Sequence, residues 1–203
     1  MSFQDGGWGA SLVNHFRRTA DVVLRGYSGY NTRRALGILN TEAFPAEPLA
    51  VTVFFGANDA ALPDRSSSFS HVPIEEYEQN LRSIVSFFKK QWPKAIVILL
   101  SPPPISEAAR ILNPYGNNTS GLPERTNGAA GAYAQACLRV ATELGVPSVD
   151  LWTKVQRVPD WETACLSDGL HLARAGNALV FAEVVEELKK HGCGPETLSS
   201  DDF

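Results

Sequence analysis

Short apolar runs punctuate the chain at Val22-Val23-Leu24, Leu49 to Phe55, Ala95 to Leu100 and Val146 to Leu151. They end in turn-forming residues and are too short for ordinary helices, so each predicts a buried strand. Helix-length segments lie between them. From Glu75 to Lys90, Tyr77, Leu81, Ile84, Val85 and Phe88 recur at helical spacing. Asn127 to Leu144 is Ala-rich, and Arg174 to His191 carries Leu179, Val180, Val184 and Leu188 before Gly192, a helix stop signal. Strands alternating with helices predict an α/β fold, with a parallel sheet covered on both faces in one domain. Ser101 to Arg125, rich in Pro, Gly, Asn and Ser, is the longest irregular stretch. It follows the end of a strand, so it reads equally as a wall of a substrate pocket or as a surface insertion. Glu196 to Phe203 is acidic and polar and reads as a frayed tail, which places the domain at 1–192 and the tail at 193–203.

Composition narrows the function. At 203 residues, 44% hydrophobic and 20% charged, the chain is that of an ordinary globular domain. A formal net charge of −4 without any basic run argues against nucleic acid or an anionic membrane surface as partner. No apolar run approaches the ~20 residues of a bilayer span. The N-terminus shows no charged segment followed by an apolar one, so no signal peptide is visible and the expected location is cytoplasmic. Cys137, Cys165 and Cys193 are odd in number and far apart, which fits reduced thiols better than zinc or a disulfide framework. Asn117-Asn118-Thr119-Ser120 contains glycosylation sequons and reads as a polar loop.

Chemistry concentrates in two places. Ser167-Asp168-Gly169-Leu170-His171-Leu172 sets a carboxylate and an imidazole three residues apart, in a chain with only four histidines. On a helical turn that spacing puts both side chains on one side. Asp168 can then accept the Nδ1–H of His171 and leave Nε2 free to take a proton from a nucleophile. The pair alone is common and by itself reads as a helix-start or surface capping pair rather than a catalytic one. Its companion is Gly56-Ala57-Asn58-Asp59, a Gly-rich turn after the run ending at Phe55, at the end of a strand where α/β folds place active sites. Asn58-Asp59 could equally cap the next helix.

In this order the two motifs resemble blocks of the SGNH (GDSL-type) hydrolase superfamily, and Arg25-Gly26-Tyr27-Ser28-Gly29-Tyr30-Asn31-Thr32 is similar to a third. The closer likeness is to isoamyl-acetate-hydrolysing esterases, carried also by Gly6-Gly7-Trp8-Gly9-Ala10-Ser11-Leu12 and by His71-Val72-Pro73-Ile74-Glu75-Glu76-Tyr77. The resemblance implies a three-layer, flavodoxin-like sheet of order 2-1-3-4-5. It also implies His171 as base, Asp168 as its orienting partner, and Gly29 and Asn58 as oxyanion donors through a backbone N–H and a side-chain amide. In that family a strand ending in Gly-Asp-Ser precedes the Gly-Gly-Trp-Gly segment and supplies the nucleophile. No Gly-Asp-Ser occurs in this sequence, so the first, central strand and its serine are expected to be missing. Ser28 sits where Tyr30 breaks a G-x-S-x-G pattern, and Ser2 lies at an unanchored terminus, so neither is expected to substitute.

The expected function is hydrolysis of small acetate or short-chain esters by a Ser-His-Asp mechanism, with a small-molecule ester as partner and no cofactor or metal. The alternative is a catalytically inactive form that binds esters or a protein. His15, His71 and His191 are expected to be structural or surface residues, and Asp59 to support the Asn58 turn.

Overall fold

The apolar runs at 49–55 and 95–100 become the two long strands of the sheet. The computed structural model describes residues 2–4, 6–39, 41, 46–116 and 118–198. Its elements run α1 (Trp8–His15), α2 (Thr32–Leu39), β1 (Ala50–Phe54), α3 (Ile74–Gln91), β2 (Ile96–Leu100) and α4 (Glu107–Leu112). They continue with α5 (Asn127–Leu144), β3 (Ser148–Val149), α6 (Leu151–Gln156), α7 (Trp161–Ala164) and α8 (Arg174–Lys190). The described sheet is parallel, in the order β1-β2-β3, with Ala50 opposite Ile96, Phe54 opposite Leu100 and Leu100 opposite Val149. This order matches the 3-4-5 half of the arrangement implied by the resemblance.

Alternation along β2 divides the core in two. Val97 and Leu99 point into a cluster built with Tyr77, Leu81 and Ile84 of α3 and Val140 of α5. Ile98 and Leu100 point the other way, onto Leu12 of α1 and Val180, Val184 and Leu188 of α8. A strand buried on both faces needs apolar residues at every position, which is why this run reads as continuous rather than alternating. Each such side chain contributes about 1.5–3 kcal/mol on burial. β1 is the edge strand among the described residues, and only Val53 within it is fully buried. The helices at 75–90, 127–144 and 174–191 form within one residue of their expected bounds. Gly145 and Gly192 close two of them at φ +60° and +74°.

Three expectations change. Val22 to Leu24 forms no regular element and joins no ladder among the described residues, with Val23 50% and Leu24 46% exposed. A strand of three residues is held only by a neighbour, and β1 pairs with β2 alone. Val146 to Leu151 contributes just two residues to the sheet, because capping chemistry starts α6 early. Asp150 accepts from Thr153 N at 3.0 Å, and the Ser101 hydroxyl accepts from Leu151 N and Trp152 N at 2.9 and 3.2 Å. Finally, the residues assigned to a tail begin as packed structure. Cys193 is buried, Leu198 packs against the α8 core, and Thr197 N and Leu198 N both donate to Gly194 O. Residues 199–203 and Asn117 lie outside the described residues. Asn118, in the second sequon, binds Ser120 and Leu122 within its loop.

Candidate active site

Asp168 and His171 meet, though not on a helix. Gly169 has φ +87°, which breaks any helical path, and the segment closes as a loop. Leu166 bridges Leu172, and Ser167 N donates to His171 O at 2.8 Å. Inside it Asp168 Oδ1 accepts from Leu170 N at 3.0 Å and His171 N at 2.8 Å, an Asx-type turn that positions the carboxylate by its own backbone. Oδ2 then receives His171 Nδ1 at 2.8 Å. The loop rests on the start of α4, where Gly169 O accepts from Ser106 N at 3.0 Å. A Cβ at Gly169 would fall 2.6 Å from the Ser106 carbonyl oxygen, so only glycine permits this approach.

The electrostatics keep Asp168 charged. Burial pushes its carboxyl up, but the His171 backbone N–H, the His171 ring and the Leu170 N–H outweigh that and hold it at about 2. The Arg110 guanidinium adds a contact of 3.1 Å to Oδ2 and donates to the Asp168 carbonyl at 3.0 Å. An ionised carboxylate can only accept, so Nδ1 of His171 carries the hydrogen. The imidazole is 42% exposed, and its Nε2 has no hydrogen-bond partner among the described residues.

This depressed carboxyl has a measurable consequence. A group whose folded pKa lies below its unfolded value stabilises the fold above the unfolded pKa, and that contribution fades as pH falls through the folded one. Asp168→Asn is therefore expected to cost on the order of 2 kcal/mol near neutral pH, with the penalty closing between about pH 4 and pH 2. Urea midpoints of the two proteins across that range check this. A gap that stays constant with pH would remove the charge of Asp168 as its cause.

Asn58 sits in the turn that ends β1. Gly56 adopts φ +113°, and a Cβ there would lie 2.8 Å from Pro102 Cγ and 2.9 Å from the Tyr77 hydroxyl. Asp59, fully buried, holds the turn closed. Its Oδ2 accepts from Gly56 N at 3.2 Å, and its Oδ1 accepts from Thr32 N at 2.9 Å and from the Thr32 hydroxyl. Burial pushes this carboxyl up, while the Thr32 donors oppose the shift. Asn58 is held at both ends of its amide. Nδ2 donates to Tyr30 O at 2.9 Å, and Oδ1 accepts from Arg125 Nη2 at 3.0 Å. One Nδ2 hydrogen remains after the Tyr30 bond. Gly29, the residue before Tyr30, has φ +76°, is exposed, and its N–H has no partner among the described residues.

The structure thus makes two pairings, Asp168 with His171 and Asn58 with the Gly29-Tyr30 turn, and no direct contact between them. Ser28 lies exposed in that turn, while the Ser2 carbonyl accepts from Gly9 N and Ala10 N at 2.7 and 3.1 Å. Neither serine hydrogen-bonds His171. His15 stacks edge-on against Phe16 and Phe181, His71 Nδ1 lies 2.7 Å from Ala61 O, and His191 approaches Glu187. Three residues beside the site escaped sequence reasoning: Arg110, Glu124 and Arg125 are 2%, 0% and 4% exposed within the stretch read as irregular. The one available signal was charge, since Glu124-Arg125 stands just before Thr126, the cap of α5.

A model of the GDSL-like Lipase/Acylhydrolase family matches residues 2–179. The chain belongs to this family. Among similar GDSL-family proteins, a GDSL esterase/lipase of Arabidopsis thaliana is 58% identical, over 98% of this chain and 86% of the relative. An isoamyl acetate-hydrolyzing esterase 1 homolog of Bos taurus is 43% identical, over 94% of this chain and 77% of the relative. An acetylxylan esterase from Geobacillus stearothermophilus shares the fold, with a TM-score of 0.68 at 23% identity, covering 93% of this chain and 84% of that one. Family membership makes an ester-hydrolysing function the right frame for the site. Among the described residues of this GDSL-family chain, no helix is long and apolar enough to cross a membrane.

Proposed function

We propose that this chain carries the acid–base and oxyanion parts of a Ser-His-Asp esterase site acting on small acetate or short-chain esters. The observation behind this reading is the 2.8 Å bond from His171 Nδ1 to an Asp168 carboxylate that two backbone N–H groups already fix. Such a partner sets the imidazole tautomer and stabilises the imidazolium that forms when Nε2 takes a proton. The substrate class rests on the isoamyl acetate-hydrolyzing relatives.

The nucleophile in this reading is a serine outside these 203 residues. Its hydroxyl attacks the ester carbonyl as His171 Nε2 removes the proton, and the oxyanion is received by the Gly29 N–H and the remaining Asn58 Nδ2 hydrogen. Collapse expels the alcohol, which takes the proton back from His171. Water then cleaves the acyl-enzyme by the same route. No metal or cofactor has a role in these steps.

Asn58 tests the reading, in a form extended at the N-terminus by a strand ending in Gly-Asp-Ser. Asn58→Ala is expected to lower kcat for p-nitrophenyl acetate by about 10²–10³ with little change in KM, since an oxyanion donor acts on the transition state. If KM rises while kcat holds, Asn58 serves ground-state binding instead. A catalytically inactive protein that binds esters or a partner is the alternative, and an inactive extended form would favour it.

A further inference from the structure

The two pairings of the site are joined underneath by charge. Arg110 Nη1 contacts both the carbonyl and Oδ2 of Asp168 at 3.0 and 3.1 Å. Its Nε and Nη2 both donate to Glu124 Oε1 at 2.9 and 2.6 Å. The same oxygen accepts from Arg125 Nη1 at 3.2 Å. Arg125 then turns its remaining donors outward, Nη2 to Asn58 Oδ1 at 3.0 Å and Nε to Ala57 O at 2.9 Å. Nη1 also reaches the Ser67 hydroxyl at 3.3 Å.

Burying such groups is costly unless every charge is paired and hydrogen-bonded. Here two guanidiniums and two carboxylates alternate, so the charges balance, and three of the four members are almost wholly buried. The three donors converge on Glu124 Oε1, while Oε2 is buried with no partner among the described residues. Arg110, Glu124 and Arg125 come from α4 and from the loop leading into α5, while Asp168 and Asn58 belong to distant segments. A planar guanidinium held at several donors cannot rotate without breaking the others, so each end of the chain fixes the next. Arg125 and the Tyr30 carbonyl together fix which way the Asn58 amide faces. By occupying Oδ1, Arg125 presents the NH₂ group, the end that can donate to an oxyanion.

We propose that Glu124, through Arg110 and Arg125, is a positioning residue that orients the Asn58 amide and the Asp168–His171 pair together. This role rests on the esterase reading above. Glu124 touches neither His171 nor Asn58 and acts only through the two arginines.

The test begins with the 203-residue chain labelled with ¹⁵N. Glu124→Gln keeps the volume and removes the charge, and it is expected to shift both the Asn58 side-chain amide and the His171 ring nitrogens. Arg125→Lys keeps the charge, removes the planar fork, and is expected to shift chiefly the Asn58 amide. In the form extended by the Gly-Asp-Ser strand, Glu124→Gln is expected to lower kcat for p-nitrophenyl acetate about tenfold or more, with KM within about twofold. A folded Glu124→Gln protein with both sets of resonances at wild-type positions overturns the proposal. Should that variant not fold, an unmoved Asn58 amide in Arg125→Lys overturns it instead. An extended form with no turnover overturns the esterase reading itself, and near-full turnover in His171→Ala takes His171 out of it, outcomes distinct from any of the resonance results.

Discussion

Replacing His171 with alanine, in a form carrying the Gly-Asp-Ser strand, is expected to lower kcat for p-nitrophenyl acetate by about 10³ or more. The size follows from what the imidazole does. A serine hydroxyl is a weak nucleophile until a base takes its proton, and the departing alcohol needs that proton returned. In the proposed mechanism both transfers fall on His171 Nε2, and the protein supplies the orientation of that ring in advance. Asp168 is fixed by two backbone N–H groups and by Arg110, and it receives Nδ1 at 2.8 Å. Loss of the ring should act on kcat rather than KM, because the base works in the transition state. His191→Ala is the natural control, since that ring lies just past the end of α8 and, among the described residues, pairs with Glu187 of that helix alone. Near-full activity in His171→Ala would take His171 out of the mechanism.

Much of this was legible in the chain, and the reasons differ by element. α3 and α8 could be read because their apolar positions repeat at helical spacing over four turns or more, and Tyr77, Leu81, Ile84 and Val184 are indeed buried. β2 could be read because a strand covered on both faces leaves an unbroken apolar run. β3 could not, since Asp150 and Ser101 cap α6 and end the strand early; the Asp150 cap is local, but the Ser101 part of it comes from fifty residues away. Val22 to Leu24 has the composition of a strand, but pairing is a property of neighbours that the segment itself does not encode. In the site, Asp168 and His171 were visible as a pair, but for a helical reason that the structure replaces with an Asx-type turn around Gly169. Arg110, Glu124 and Arg125 were hidden by their setting. Charged residues in a Pro- and Gly-rich stretch read as solvated, and only the fold brings them to alternate in the interior.

The second large effect is expected from the sequence as it stands. Met1–Phe203 should show little or no esterase activity. It holds the proposed base, its orienting carboxylate and two candidate oxyanion donors, yet no serine hydroxyl hydrogen-bonds the His171 ring among the described residues. Removing the nucleophile from a hydrolytic triad can leave ~10³–10⁴ over water, from the oxyanion hole and binding alone. In the proposed mechanism the nucleophile's own backbone N–H is a third donor, so without that serine the residual rate should be smaller still. β1 is also an edge strand in the described sheet, so the strand leading to Asn58 is paired by β2 on one side only.

The most direct measurement therefore sets the two forms side by side with p-nitrophenyl acetate, the Met1–Phe203 chain and the form extended by a strand ending in Gly-Asp-Ser, purified and assayed under identical conditions. Turnover by the extended form, lost in its His171→Ala variant and near background in the shorter chain, is the predicted result. Comparable turnover by both, abolished in the shorter chain by Ser2→Ala or Ser28→Ala, would contradict it and place the nucleophile within these residues.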